Sequence, residues 1–125
     1  MTVVVDSCVL IDYLRGVPVA GRFLDDQRLG GALHASEISR LELLAGMRSD
    51  EESATRSLLA TLSWIPVNEA VSERAGELGR RWLRRNQGID AADLAIAATA
   101  QLLSAELLTT NVKHFPMFEG LTAPY

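Results

Sequence analysis

The period of apolar and polar positions changes several times along the chain. Residues 2–5 (Thr-Val-Val-Val) form a β-branched run stopped by Asp6, the pattern of a short buried strand. Ser7 reads as the cap of a helix over Cys8 to Arg15, stopped by Gly16 and Pro18. A second helix over Val19 to Gln27 ends at Gly30-Gly31, and a second strand covers Leu33 to Ala35. Ser36 caps a leucine-rich helix that runs to about Gly46, and Asp50 to Leu62 reads as a further helix. Trp64 to Val67 is the third expected strand, closed by Pro66. Asn68 caps a long helix in which Val71, Ala75, Leu78 and Trp82 recur at intervals of four, three and four, the spacing of one helical face. Asp90 opens an alanine-rich helix, Glu106 to Thr109 is the fourth strand, and the tail from Asn111 is loop-like with a last short strand expected near Leu121 to Ala123.

Strands alternating with helices predict an α/β fold, with a mainly parallel sheet of four to five strands covered on both faces. Ligands of such sheets bind beyond the carboxyl ends of the strands. Asp6 lies at the end of the first strand and Asn111 follows the fourth. No repeat, low-complexity stretch or linker breaks the pattern, so residues 1–125 are expected to form one domain with one real core.

Composition narrows the function classes. Hydrophobic residues make up 48% and charged residues 22%, the balance of a globular chain. No apolar run reaches the roughly 18 residues of a membrane span. The N-terminus has no basic region ahead of its apolar stretch, so no signal peptide is expected and the default address is cytoplasmic. Cys8 is the single cysteine, which rules out an intrachain disulfide. A net charge of −4 counts against simple electrostatic capture of nucleic acid, yet Arg80, Arg81, Arg84 and Arg85 cluster within six positions. A site that gathers carboxylates also reads as acidic until its cation arrives.

Three acids stand out: Asp6, Glu42 and Asp93 each lie against apolar sequence, where a carboxylate is costly unless compensated. Asp6 also suits the N-cap of the helix that follows it. At 100° per residue Glu42 falls within about 60° of Ile38 and Ala45, at the margin of the expected buried stripe, where it either snorkels to water, pairs with an arginine or turns toward a site. Asp90-Ala91-Ala92-Asp93 is close to a capping box, and an acid in a first helical turn suits the helix dipole. Asp93 nevertheless shares its face with Ala97 and Ala100 and is expected to point inward. A divalent cation at one sheet edge would compensate all three acids and points to phosphoryl-ester chemistry. Asp12, Asp25, Asp26, Asp50, Glu51 and Glu52 read as solvated helix-face charges, Cys8 as a small buried hydrophobe, His34 as structural, and His114 as open to either role.

These residues resemble the motifs of PIN-domain nucleases, in particular the VapC-type toxins of bacterial toxin–antitoxin pairs. Val4-Val5-Asp6-Ser7 with Leu10-Ile11-Asp12-Tyr13-Leu14-Arg15-Gly16 is similar to the opening motif, and Ser39-Arg40-Leu41-Glu42-Leu43-Leu44-Ala45-Gly46 to the second. Gly88-Ile89-Asp90-Ala91-Ala92-Asp93-Leu94-Ala95-Ile96-Ala97-Ala98-Thr99-Ala100 resembles the third, and Thr109-Thr110-Asn111-Val112-Lys113-His114-Phe115 the fourth. The resemblance spans nearly the whole chain in order. It implies a three-layer α/β/α sandwich and a Mg²⁺- or Mn²⁺-dependent endoribonuclease, with Asp6, Glu42 and Asp93 as its acidic cluster. It also implies a homodimer and a VapB-type antitoxin partner whose C-terminal segment masks the active site. Two positions depart from the family pattern: Cys8 stands where a polar residue such as asparagine is common, and the last motif offers Asn111 and His114 rather than a fourth acid. Asp90 is the fallback for that fourth acid.

On this reading Asp6 and Asp93 hold the metal directly, and Glu42 holds a second ion or orients a water. Asn111, Ser7 or Thr110 contact a phosphate oxygen or a metal-bound water. Arg80, Arg81, Arg84 and Arg85 meet RNA backbone or antitoxin, or form a solvated face with a Glu77–Arg81 pair at i,i+4. The competing expectation is a PIN-like module that binds RNA or an antitoxin without cleavage. A metal-dependent phosphatase uses similar acids, but no glycine-rich phosphate cradle is evident.

Overall fold

The structure, a computed structural model, describes residues 2–125. Four short strands, β1 (Val3–Val5), β2 (Leu33–Ser36), β3 (Ser63–Ile65) and β4 (Glu106–Leu108), pair in the order β3-β2-β1-β4. Every pairing is parallel: Val3 stands opposite Leu33 and Glu106, and Ala35 opposite Trp64. The six α-helices are α1 (Ser7–Leu14), α2 (Pro18–Leu29), α3 (Glu37–Gly46), α4 (Glu52–Leu59), α5 (Glu69–Trp82) and α6 (Ala91–Leu102).

The two-residue period of β1 divides the core. Val3 and Val5 join Val9, Leu10, Leu24 and Leu58 on the side of α1, α2 and α4. Val4 joins Val71, Leu78, Ile96 and Leu107 on the side of α5 and α6. The result is the α/β/α sandwich expected from the alternating pattern. The chain steps from β1 outward through β2 to β3, then returns to place β4 on the other side of β1. That reversal opens a crevice beyond the carboxyl ends of β1 and β4, where ligands of open parallel sheets bind.

Several boundaries differ from the sequence pattern. Asp6, not Ser7, is the N-cap of α1, with its carboxylate accepting the Ser7 N–H; Ser7 is the first helical residue. The acidic stretch expected to start one helix at Asp50 instead makes a 3₁₀ turn at Ser49–Glu51, where Glu51 accepts the Arg48 N–H, and α4 ends at Leu59. Strand β3 starts one residue earlier than expected and ends two residues earlier, and Pro66, which has no N–H to give, follows it. Leu121 to Ala123 form no strand. The tail turns at Gly120 (φ +74°) and is fastened by Tyr125 instead. The Tyr125 hydroxyl donates to Asp12 at 2.6 Å, and its ring sits 6.0 Å from that of Phe23. Asp12 is therefore a tethering acceptor rather than a solvated charge. Among the described residues no helix is long and apolar enough to cross a membrane.

Candidate active site

Asp6 continues the sheet one step past β1, its N–H donating to the Leu108 carbonyl at 2.9 Å. Its side chain is buried, so its charge must be met by donors. Oδ1 accepts from the Ser7 N–H at 2.8 Å, and Oδ2 accepts from the Thr109 hydroxyl at 2.7 Å and from the Cys8 thiol at 3.3 Å. Thr109, fully buried just beyond β4, also accepts from the Asn111 N–H at 3.0 Å. Burial first, then the Asp6 charge, push the Cys8 thiol above its ordinary range, so it stays protonated and serves as a donor.

Glu42 comes from α3, whose N-cap Ser36 accepts the Ile38 N–H at 3.1 Å. The buried stripe of α3 runs along Ser39 and Leu43; Ala45, expected on it, is exposed, and Glu42 sits half-buried on the margin. The Ser7 hydroxyl donates to Glu42 Oε1 at 3.0 Å, tying the start of α1 to α3. Burial raises the Glu42 carboxyl above its ordinary value, the Ser7 hydroxyl opposes that, and the charges of Asp6 and Asp90 add to it.

Asp93 opens α6 in a reciprocal capping box. Asp90 Oδ1 accepts the Asp93 N–H at 2.9 Å, and Asp93 Oδ2 accepts the Asp90 N–H at 3.2 Å. The cap and the inward orientation coexist, since Asp93 is buried. Burial is the main cause that pushes its carboxyl up to about 6; the neighbouring charges of Asp90 and Asp6 raise it further, while the Asp90 N–H and His114 oppose the rise. His114 places Nδ1 3.1 Å from Asp93 Oδ2.

The charges of Asp6, just past β1, and Asp90, the cap of α6, thus act on both Glu42 in the middle of α3 and Asp93 in the first turn of α6. Like charges held together in partial burial call for a cation. The donors are oxygens, the set that suits Mg²⁺ or Mn²⁺. Among the described residues no three His, Cys, Asp or Glu side chains form a ready-made cage. A cage is not required, because Mg²⁺ retains several waters and takes one or two protein carboxylates.

The description of one protein family, PIN domain, matches residues 3–117. The chain belongs to the PIN-domain family. It is 43% identical over 122 residues to Ribonuclease VapC19 of Mycobacterium tuberculosis, covering 97% of this chain and 98% of that one. Ribonuclease VapC10 of the same organism is also 43% identical, over 123 residues covering 98% of this chain and 92% of that one. A solved toxin–antitoxin complex from Klebsiella pneumoniae contains a chain that superposes with a TM-score of 0.84 at 29% identity, over 99% of this chain and 98% of that one.

In this PIN domain Asp6, Ser7, Glu42, Asp90 and Asp93 converge, and Thr110 joins them through its N–H, which donates to Cys8 Sγ at 3.4 Å. Asn111 caps a 3₁₀ turn at Val112–His114 with its side chain exposed. The arginine cluster stands apart: among the described residues no hydrogen bond or ion pair joins Arg80, Arg81, Arg84 or Arg85 to these acids. Arg80 and Arg84 flank a shallow apolar groove between α5 and α6 that includes Gly79, Leu83 and Leu94. Arg81 lies over the Trp82 ring, 5.7 Å from its centre, in place of the expected pair with Glu77. Thr109 was the residue least visible in the sequence. It opens the fourth motif but carried no role of its own there, and Cys8, read as a hydrophobe, is a thiol donor to Asp6.

Proposed function

We propose that this PIN domain, residues 1–125, is a divalent-metal-dependent endoribonuclease that acts as the toxin of a toxin–antitoxin pair. The observation that carries the proposal is the meeting of Asp6, Glu42 and Asp93, from three separate elements, at the carboxyl edge of the sheet. The ribonuclease names of the relatives at 43% identity support the reaction class. The toxin–antitoxin complex at 29% identity supports the antitoxin, a VapB-type chain, as partner.

Asp6 and Asp93 are assigned as the residues that hold Mg²⁺ or Mn²⁺, with Glu42 and Asp90 beside them. When bound, the ion supplies Lewis-acid polarisation of the scissile phosphate and acidifies a water. Thr109, Cys8 and the Ser7 N–H fix the Asp6 carboxylate, so it is presented without reorganisation. Ser7 orients Glu42, whose raised affinity for a proton suits it to take one from an attacking water. The exposed Asn111 side chain and Thr110, which follow β4, are assigned to contact a phosphate oxygen or a metal-bound water. Arg80 and Arg81 at the end of α5, with Arg84 and Arg85 just beyond it, are assigned to RNA backbone or antitoxin. The antitoxin segment is assigned to the rim beside Glu42, where Leu41 is 59% exposed and a small pocket between α1 and α3 is lined by Ile11, Leu14 and Leu43.

Purified chain, free of partner, is incubated with total cellular RNA in Mg²⁺, Mn²⁺ or chelator, with Asp93→Asn alongside. Discrete fragments that require both metal and Asp93 are expected. No fragments in any lane from folded protein overturn the proposal in favour of a non-cleaving binding module.

A further inference from the structure

We propose that His114 is a positioning residue for Asp93: it occupies one carboxylate oxygen so that the other is presented to the divalent ion. The inference rests on the reading of Asp93 as a metal-holding residue. Asp93 Oδ2 faces two nitrogen groups, the Asp90 N–H at 3.2 Å and His114 Nδ1 at 3.1 Å. Oδ1 accepts no hydrogen bond from any described residue. At 3.1 Å a bare nitrogen lone pair and a carboxylate oxygen repel, so the hydrogen is assigned to Nδ1. The contact engages Oδ2 and leaves Oδ1 without a donor among the described residues, with the Asp6 charge close enough to act on the same carboxyl.

The placement of His114 is built into the fold. Its own N–H donates to the Asn111 carbonyl at 2.9 Å, and the next residue, Phe115, is buried in the core with its N–H on the Val112 carbonyl at 3.1 Å. On the far side of the ring lies the turn that leads into α6. Gly88 there has φ +94°, and a Cβ on it would lie 3.7 Å from His114 Nε2. The ring therefore joins the segment after β4 to the N-terminus of α6. Carboxylates that hold metals are generally fixed by such outer hydrogen bonds, whose loss weakens metal binding about 10–100-fold. Where a fourth acid is absent from the last motif, the chain uses an imidazole to hold the third acid instead.

The test reads metal binding without RNA. Mn²⁺ affinity is measured by electron paramagnetic resonance for the wild type, Asp93→Asn, His114→Leu and His114→Asn, with melting temperature recorded on each metal-free protein. His114→Asn keeps an N–H donor close to the position of Nδ1; His114→Leu keeps bulk and no donor. Mn²⁺ binding about tenfold weaker in His114→Leu, and within about threefold of wild type in His114→Asn, is the expected result. Equal affinity in His114→Leu and wild type, or no recovery in His114→Asn, overturns the positioning role. If Asp93→Asn binds Mn²⁺ as well as wild type, the metal site itself fails, a result separate from either of those, and the role of His114 falls with it.

Discussion

At Asp93, burial and charge are opposed, and the opposition sets a pH dependence. Its carboxyl is raised from 3.8 to about 6, mainly by burial, so the native state holds the proton more tightly than the unfolded chain. Stability from this group is complete below the unfolded value and falls as pH rises toward 6, because the folded chain then loses a proton it binds well. In metal-free buffer at pH 7, Asp93→Asn is expected to be more stable than wild type by on the order of 1 kcal/mol, a Tm rise of about 4 °C. Thermal melts from pH 4 to 7 check this; the gap should close toward pH 4. Metal must displace the same proton, so Mn²⁺ affinity is expected to weaken about tenfold per pH unit below 6. Thr109→Val removes a buried hydroxyl from both Asp6 and the Asn111 N–H. The expected cost is about 1–3 kcal/mol in urea denaturation, together with slower cleavage.

Elements, rather than single groups, set the spacing between the acids. Helices α5 and α6 pack closely at Gly79, where a Cβ would meet Leu94 Cδ1 at 3.2 Å and Leu83 Cδ1 at 3.4 Å. Both are the free ends of flexible side chains, so Gly79→Ala is expected to be near neutral, its crowding offset by about 1 kcal/mol of helix propensity. Gly79→Leu is expected to force the helices apart and lose about 1–3 kcal/mol, measured by urea denaturation. The strand–helix alternation, the parallel sheet and the placement of Asp6 were legible because each rests on local period and on a general rule about sheet edges. The boundaries at Asp6 and at Ser49–Glu51 were less so, since side-chain caps decide them and several residues there are good caps. The absent tail strand reflects Tyr125 finding Asp12, a contact between residues far apart in sequence. The same holds for His114 and Asp93, whose meeting no periodicity announces.

For the molecule as a whole, the fold and the proposed metal site are separable. The two core clusters on either face of the sheet are built from apolar side chains and do not depend on an ion. Chelator is therefore expected to leave the far-ultraviolet circular dichroism spectrum unchanged. Saturating Mn²⁺ should stabilise the chain by about 2.7 kcal/mol at a hundred times its Kd. The homodimer implied by the motif resemblance is checked by sedimentation, with twice the 13.6 kDa chain mass expected. The deciding measurement is single-turnover cleavage of one RNA by wild type, Asp6→Asn, Asp93→Asn and the double variant under saturating Mn²⁺. Groups that hold one ion act as a unit, so each single variant should lose about a hundredfold or more and the double variant should be no slower than the worse single. A wild-type rate in either single variant, or losses that multiply in the double, contradicts a shared site.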